Sequence, residues 1–401
     1  LVLGAVAVLA PQGTSTDDPH VPLIADANPR RRLALMAARF FEKQPETMVA
    51  ITGTNGKTSV ASFVEQIWRH LGHKAGSLGT LGVQGDGYSA SLEHTTPDPV
   101  TLHSHLREFV DHEINHVAIE ASSHGLDQYR LDGVRLKAAA FTNLSHDHFD
   151  YHEREEDYFQ AKARLFGELL PGDGIAVLNA DCEHQGRLVE IAEARGLKVI
   201  SYGFRGWDIN IKRRRPSRDG QMLELEVFGK TCLIEMPVIG DFQAENALCA
   251  LGLVLACGAD QDAAVDALNH LHGVTGRIEK VVEHPNGAPV FVDFAHTPDA
   301  LEHVLKALKS HARDRLVVVF GCGGDRDVEK RSVMGVVACQ FADHVIVTDD
   351  NPRFEDAAAI RHQVMKGCDR AMEVGDRADA IRAAVAGLNE GDVLVIAGKG
   401  H

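Results

Sequence analysis

The chain has 401 residues, of which 44% are hydrophobic and 24% are charged, and its formal net charge is −16. This composition is typical of an ordinary globular protein, and a chain of this length is expected to form two or three domains. The acidic excess excludes nucleic acid as an expected partner, because a phosphate backbone is bound mainly through cationic groups. The seven cysteines form no CxxC pair. They therefore indicate neither a disulfide framework nor a zinc site, and they favour a reducing cytoplasm.

The chain begins with the apolar stretch Leu1 to Ala10. This stretch is too short to span a bilayer and lacks the positive flank of a signal peptide, so we expect a buried strand or helix and no membrane partner. A helix is predicted over Arg32 to Phe41. Residues 1–46 are interpreted as the remnant of an amino-terminal domain and its linker, in a sequence that begins inside a longer protein.

In the middle of the chain, apolar runs alternate with Gly-containing turns and helical patterns, which predicts a mostly parallel sheet flanked by helices. The predicted strands are Met48 to Thr52, Val117 to Glu120, Ala138 to Thr142 and Gly174 to Leu178. Asp208 to Pro237 alternates polar and apolar residues, as antiparallel strands do. A buried helix is predicted over Asn246 to Cys257. Residues 47–276 are predicted to form a central P-loop-type α/β domain.

A second α/β series occupies the last third of the chain. Its predicted strands are Val290 to Asp293, Leu316 to Phe320, His344 to Thr348 and Val393 to Ala397, and its predicted helices are Asp299 to Lys309 and Asp376 to Leu388. The alternation again predicts a parallel sheet. Residues 277–401 are therefore predicted to form a Rossmann-like α/β domain.

A candidate phosphate loop, Gly53-Thr54-Asn55-Gly56-Lys57-Thr58-Ser59, lies between a predicted strand and a helix expected to begin near Val60. Its glycines let backbone N–H groups turn toward an anion, and the helix N-terminus adds a favourable partial charge. In such loops the lysine reaches the β- and γ-phosphates and the hydroxyl after it ligates Mg²⁺. The general pattern GxxxxGK[ST] places glycine where this chain has Ile51, so a Gly-rich turn with an incidental lysine is the alternative.

Glu120 stands at the carboxyl end of a predicted strand, where open α/β sheets gather their ligands. It is a candidate magnesium ligand, although a capping or surface carboxylate explains the residue alone equally well. The stretch His146 to His152 is dense in imidazoles and carboxylates and predicts a metal site. It approaches the HxHxDH motif of metallo-β-lactamase-like hydrolases, so a metal-dependent hydrolase is an alternative function. Lys162 lies on a predicted helix, Tyr158 to Phe166, where a lysine is usually solvated.

Eleven motifs follow one another along nearly the whole chain: GTNGKTS, HTTPDP, EASSHGLDQYR, NLSHDHFDYH, YFQAKARLF, GDFQAENALCA, GVTGRIE, DFAHTPDAL, GCGGDRD, TDDNPR and AGKGH. In this order they resemble the Mur ligase family. The resemblance implies an ADP-forming ligase, with ATP and Mg²⁺ as cofactors, in peptidoglycan biosynthesis. Its implied substrates are UDP-N-acetylmuramoyl-L-Ala-D-Glu and meso-diaminopimelate, joined through an acyl phosphate. A cytoplasmic monomer is expected; the alternatives are a family member that adds L-lysine and a non-catalytic nucleotide-binding module.

The resemblance also implies roles for single residues. The implied ATP-binding residues are Gly53, Thr54, Asn55, Gly56, Lys57, Thr58, Ser59, Asn246, Arg277, Asp293 and His296. The implied metal ligands are Thr58, Glu120, His148 and Lys162, the last as a carbamate formed with CO₂, and the implied catalytic residues are Lys57, His148 and Lys162.

For the substrates, the resemblance implies two further sets. The muramoyl dipeptide is assigned to Thr95, Thr96, Ser122, Gln128 and Arg130, and diaminopimelate to Arg326, Asp350, Asn351, Pro352, Arg353 and Gly398. Arg353 is implied to bind the distal carboxylate, which lysine lacks, in a bidentate contact. The residues alone predict only a turn there, because asparagine before proline favours one. The family continues past the position of His401, so weak or absent activity is expected of a chain that ends there.

Overall fold

A computed structural model describes residues 6–15, 20–145, 151–152, 154–217, 220–325 and 327–399. Near the amino terminus, β1 (Val8–Pro11) and β2 (Leu23–Asp26) pair in parallel and precede α1 (Pro29–Phe41). The expected strand is present, but of the described residues of this stretch only Ala10 is buried. Val6 and Val8 are 86% and 40% exposed, because a two-stranded sheet is too small to cover both of its faces.

The central part of the chain forms a large sheet with helices on both faces. Its strands are β3 (Thr47–Thr52), β4 (Ala75–Gly79), β5 (Gly82–Gly85), β6 (Tyr88–Ala90), β7 (His116–Glu120), β8 (Ala138–Phe141), β9 (Ile175–Asn179), β10 (Lys198–Gly203), β11 (Ile209–Pro216), β12 (Gln221–Val227) and β13 (Lys230–Met236). Its helices are α2 (Lys57–His70), α3 (Pro99–Asp111), α4 (Ser123–Asp127), α5 (Glu155–Arg164), α6 (Gln185–Ala194), α7 (Asp241–Ala256) and α8 (Gln261–Asp266). A π-helical turn, Leu165–Leu169, extends α5, and a 3₁₀ turn, Ala267–His270, follows α8.

In the described residues this sheet has the strand order β13-β12-β11-β10-β9-β8-β3-β7-β4-β5-β6. The strands from β11 to β4 are parallel, and antiparallel hairpins extend both edges. The four predicted parallel strands are present within one residue at each end, because strands buried on both faces appear in the sequence as continuous apolar runs. One face packs on α2 and α7, and the other packs on α3 and α5.

The carboxyl-terminal part forms a second, mostly parallel sheet. Its strands are β14 (Glu279–Glu283), β15 (Pro289–Asp293), β16 (Leu316–Phe320), β17 (His344–Val347), β18 (Met372–Glu373) and β19 (Val393–Ala397), and its helices are α9 (Pro298–Lys309), α10 (Glu329–Phe341), α11 (Ala357–Met365) and α12 (Arg377–Ala386). The strand order is β14-β15-β19-β16-β17-β18, with β14 antiparallel at the edge. The predicted α/β class is confirmed. Within the described ranges, no helix combines the length and the apolar character needed to cross a membrane.

A buried ion pair fixes the segment that follows α4. Arg164 donates through Nη2 to both carboxylate oxygens of Asp132, at 2.8 and 2.7 Å, and Arg31 donates to Oδ1 at 2.9 Å. The side chains of Asp132 and Arg164 are only 6% and 9% exposed. The guanidinium of Arg164 also lies 4.1 Å from the ring centroid of Tyr129. Asp132 therefore ties this segment to both α1 and α5.

We expect Asp132→Asn to lower the free energy of unfolding by about 3 kcal/mol, because it leaves the buried guanidinium of Arg164 with only the exposed carboxylate of Glu168 as a countercharge. Urea denaturation followed by circular dichroism measures this loss. The matched control is Glu113→Gln, since Glu113 pairs with Lys74 through a side chain that is 78% exposed, and this control should leave stability nearly unchanged. Equal losses in the two variants would contradict a structural role for Asp132.

Candidate functional site

The candidate phosphate loop, residues 53–58, connects the carboxyl end of β3 to α2. Gly53 and Gly56 have φ angles of +144° and +89°, which only glycine adopts without strain. A Cβ atom on Gly53 would lie 1.9 Å from Oγ1 of Thr142, and one on Gly56 would lie 2.4 Å from Oδ1 of Asn246. Both glycines are therefore required by conformation and by space.

The first turn of α2 carries the polar residues of the loop. The helix begins at Lys57 and not near Val60 as predicted, so Lys57, Thr58 and Ser59 all lie where backbone N–H groups lack intrahelical acceptors. The ammonium of Lys57 donates to the carbonyl oxygens of Gly53 at 2.9 Å and Thr54 at 2.8 Å. The lysine thus spans the loop, and its charge lies beside the helix N-terminus, where an anion is favoured.

The segment after β8 braces the phosphate loop. The N–H of Thr54 donates to the carbonyl of Asn143 at 2.9 Å, and the N–H of Asn55 donates to Oδ1 of the same residue at 2.9 Å. The N–H of Ser145 donates to Oγ1 of Thr54 at 3.0 Å. Sequence reasoning did not single out Asn143 or Ser145. The available signal was their position after the strand that pairs with β3.

Glu120 lies at the end of β7, next to the first turn of α2. It is 1% exposed, which excludes the surface carboxylate considered from sequence. Oγ1 of Thr58 donates to its Oε2 at 3.0 Å, while Thr80 donates through its N–H to Oε1 at 2.8 Å and through its hydroxyl to Oε2 at 3.2 Å. The structure therefore brings together two predicted metal ligands, Thr58 and Glu120, and Thr80 is a neighbour that the sequence did not indicate. Hydroxyl and carboxylate oxygens are the ligand type that Mg²⁺ prefers.

Lys162 is buried beside the same loop. Its side chain is 1% exposed, so the expectation of a solvated helical lysine is wrong. The ammonium donates to the carbonyl of Gly53 at 2.8 Å and lies 4.3 Å from the ring centroid of Tyr158. This burial arises because one face of α5 packs toward the loop. His148 and most of the stretch His146 to His152 lie outside the described residues, so the predicted metal role of His148 stays a prediction.

Five residues assigned to the muramoyl dipeptide lie around the carboxyl end of β7: Thr95, Thr96, Ser122, Gln128 and Arg130. The hydroxyl of Thr96 donates to the carbonyl of Glu120 at 2.7 Å and accepts from the N–H of Ser122 at 3.0 Å. Arg130 donates to the carbonyl of Thr96 at 2.6 Å and to Oε1 of Gln128 at 2.7 Å. Thr96 is 1% exposed, and its hydroxyl holds the backbone of Glu120 and Ser122 in place. Arg130 is the cationic residue among these five.

Arg277 contacts the phosphate loop from the connection between the two sheets, and Asp293 lies at the end of β15. Nη2 of Arg277 donates to Oγ1 of Thr58 at 3.1 Å, and burial lowers the pKa of this guanidinium. Asp293 accepts at 2.7 Å from the N–H groups of both Ile278 and Ala295. Burial raises the pKa of Asp293, with Arg277 and the two backbone donors acting in the opposite direction. Arg277 therefore places a cation beside Thr58 and Glu120, the two predicted metal ligands that we call the metal-type cluster.

The two remaining predicted nucleotide residues, Asn246 and His296, lie on different parts of the chain. Asn246 on α7 donates to Oε1 of Gln243 at 2.9 Å and holds its own Oδ1 against Gly56. Nδ1 of His296 lies 3.1 Å from the carbonyl of Phe294, just after β15. Asn246 is therefore in contact with the loop, whereas His296 belongs to the carboxyl-terminal sheet.

The residues assigned to diaminopimelate lie after β17 and β19. Lys399 is 3.3 Å from Oδ1 of Asp350, and Gly398 has a φ of +87° beside it. Arg353 is exposed, with a φ of +49°, and its Nη1 donates to the carbonyl of Gly324 at 2.5 Å. Asn351 and Pro352 lie between Asp350 and Arg353, and the turn begins at Arg353 and Phe354. Arg326 lies outside the described residues. Asp350, Arg353 and Gly398 thus share the carboxyl edge of the second sheet.

A cavity of about 600 Å³ opens beside Thr58 and Glu120 and runs along α2 as far as Arg69. Residues 79–82 and 273–275 line its other sides. The metal-type cluster is therefore reachable from solvent, although Glu120 itself is buried.

Comparison with known proteins agrees with this geometry. The Mur ligase middle domain family matches residues 51–254, and the Mur ligase glutamate ligase domain family matches residues 276–400. The chain is 50% identical over 402 residues to the UDP-N-acetylmuramoyl-L-alanyl-D-glutamate–2,6-diaminopimelate ligase of Bradyrhizobium diazoefficiens, with 99% of this chain and 82% of that protein covered.

Two solved structures resemble the chain throughout. One is a UDP-N-acetylmuramoyl-L-alanyl-D-glutamate–2,6-diaminopimelate ligase at 34% identity, with a TM-score of 0.72, and 99% of this chain and 82% of that one are covered. The other, a Mycobacterium tuberculosis folylpolyglutamate synthase complexed with ADP, shares the fold at 22% identity and a TM-score of 0.75, with 92% and 91% covered. The predicted family is confirmed, and the chain belongs to the Mur ligase family.

Proposed function

We propose that this protein adds meso-diaminopimelate to the D-Glu side-chain carboxylate of UDP-N-acetylmuramoyl-L-Ala-D-Glu, with ATP as the phosphoryl donor, in peptidoglycan biosynthesis. The observation that carries the proposal is the contact between the hydroxyl of Thr58, in the phosphate loop, and the buried carboxylate of Glu120. A relative that shares half of its residues with nearly the whole chain has the name of this enzyme. The free cysteines support a cytoplasmic location.

The residues at the loop fit a nucleotide triphosphate with Mg²⁺. Thr58 and Glu120 would hold the ion, and His148 is the predicted further ligand. When bound, Mg²⁺ neutralises charge on the phosphate oxygens. The loop's N–H groups and the ammonium of Lys57 bind the phosphates, and Arg277 adds a cation that stays charged at physiological pH.

The chemistry requires positioning more than a protein nucleophile. A carboxylate oxygen of D-Glu forms a bond to the γ-phosphorus while the bond to ADP breaks, giving an acyl phosphate. The amine of diaminopimelate then bonds to the acyl carbon, phosphate leaves, and the nitrogen loses a proton. Arg130 and Gln128 are suited to orient the anionic dipeptide, because a guanidinium can donate two parallel hydrogen bonds to one carboxylate or phosphate.

Lys162 is proposed to act as a carbamate. The neutral amine would form an N–C bond to CO₂, and the two protons that separate the ammonium from the carbamate would pass to water. The product would be an anionic oxygen ligand, which would suit a second Mg²⁺ where a cation would not. Its burial beside the carbonyl of Gly53 supports this proposal, since a carbamate there is shielded from bulk water.

The first test is phosphate release by the purified protein with ATP, the muramoyl dipeptide and either diaminopimelate or L-lysine. We expect release only with diaminopimelate, and we expect Lys57→Ala to lower kcat by on the order of 100-fold, because the transferred phosphoryl group loses its cation. Lys74→Ala, at an exposed lysine of the same sheet, is the control. Phosphate release at the same rate with either amino acid, or with none, would contradict the proposal. Bound zinc together with no affinity for nucleotide would favour the metal-dependent hydrolase.

The carbamate predicts a dependence on dissolved CO₂. Activity in buffer depleted of bicarbonate should fall by roughly tenfold and return when bicarbonate is added, because the metal loses an oxygen ligand. Lys162→Arg should be inactive at both bicarbonate levels, whereas Lys74→Arg should behave as the unaltered protein. An activity independent of bicarbonate in the unaltered protein would exclude the carbamate.

Arg353 predicts the choice of amino acid. We expect Arg353→Ala to raise the KM for diaminopimelate by roughly tenfold or more while leaving the KM for ATP unchanged, because a charge-assisted contact to the distal carboxylate is lost. Steady-state kinetics with each substrate varied in turn measure both values. Arg382→Ala, at a 72% exposed arginine of helix α12, is the control. A parallel rise in both KM values would instead indicate a general defect.

A further inference from the structure

Asp299 connects the carboxyl-terminal sheet to the phosphate loop. It lies in the first turn of α9, after β15, and its Oδ2 accepts from Nδ2 of Asn55 at 2.8 Å and from Oγ of Ser145 at 3.0 Å. Asn55 belongs to the phosphate loop, and Ser145 belongs to the segment that braces it. One carboxylate oxygen therefore joins both segments to a helix of the other sheet.

The carboxylate is held in a charged form suited to this contact. Burial alone would raise the pKa of Asp299, but His303, Ser145 and Asn55 outweigh that effect and lower it. His303, one turn later on α9, places Nδ1 3.3 Å from Oδ1 of Asp299. Its hydrogen bond to Asp299 raises the pKa of His303 to about 9, so the ring is cationic at neutral pH and compensates the carboxylate.

We infer that Asp299 is a positioning residue that transmits closure of the carboxyl-terminal sheet to the phosphate loop. The reactive amine enters from the second sheet, whereas the triphosphate binds on the first, so the rate depends on the two sheets being held together. Asp299 supplies this link through Asn55 and Ser145 without contacting the reacting atoms. The inference rests on the proposed function for its rate effect, but the contact itself can be tested separately.

The direct test is the steady-state kinetics of Asp299→Ala. We expect kcat to fall about tenfold, as for the loss of charge-assisted hydrogen bonds, with the KM for ATP changed less than twofold, because the loop keeps its own phosphate contacts. Asp299→Asn keeps the shape and removes the charge, and it should show most of the same loss. An unchanged kcat, or a loss confined to the KM for ATP, would overturn the inference.

A double-mutant cycle separates positioning from general destabilisation. Ser145→Ala in the Asp299→Ala background should lower kcat less than it does alone, because its partner is already absent. Glu302→Gln is the matched control, since Glu302 lies on the same helix and pairs with Lys306, and its kcat and melting temperature should match those of the unaltered protein. Fully additive losses in the cycle would contradict a shared contact.

Small-angle X-ray scattering tests closure without relying on the ligase reaction. Asp299→Ala should have a larger radius of gyration than the unaltered protein and the Glu302→Gln control, because the contact of α9 with Asn55 and Ser145 is removed and only other contacts between the sheets, such as that of Arg277 with Thr58, remain. An unchanged radius would overturn the inference even if the ligase assay failed. A larger radius together with no diaminopimelate-dependent phosphate release in the unaltered protein would support the link and refute only the proposed function.

Discussion

The buried carboxylate of Glu120 is the constraint on which the rest of the site depends. Removing a carboxylate from water is costly unless hydrogen bonds and opposite charge replace the solvent. Here Thr58 and Thr80 supply three hydrogen bonds, and Arg277 supplies a nearby cation through Thr58. Because these partners come from α2, the β4–β5 turn and the connection to the second sheet, satisfying one carboxylate fixes three parts of the chain around it.

Hydrogen bonds to neighbouring residues also fix the conformation of the phosphate loop. Two backbone N–H groups of the loop, those of Thr54 and Asn55, donate to Asn143. The ammonium of Lys57 donates to two backbone carbonyls of the loop. These contacts hold the loop backbone in place before any anion binds, and such preorganisation is a main source of catalysis where no covalent intermediate with the protein is formed. The surrounding polar side chains therefore act chiefly as scaffolding for the loop.

Sequence patterns predicted the parts of the fold and site that depend on residues close together in the chain. The parallel strands that the sequence predicted were placed closely because buried parallel strands are continuous apolar runs, and the loop was found because glycine, lysine and threonine occur at fixed spacing. Thr80 and Asn143 were missed because their roles arise from strand order: β4 lies beside β7, and β8 lies beside β3. The strands β4, β10 and β14 were not predicted either. The short strands β5, β6 and β18 were missed because they depend on the edges that they extend.

Lys162 shows how burial can change the chemistry of a residue whose local pattern is unremarkable. Its helix has the composition of a solvated segment, yet docking against the loop places its ammonium on the carbonyl of Gly53, which also accepts from Lys57. Two cations on one carbonyl repel each other in a site of low polarity, where charges interact more strongly than in water. Under the proposed function, a bound triphosphate and a carbamate on Lys162 would each relieve that repulsion. The repulsion acts through a backbone atom whose position is fixed by the requirement for glycine at residue 53.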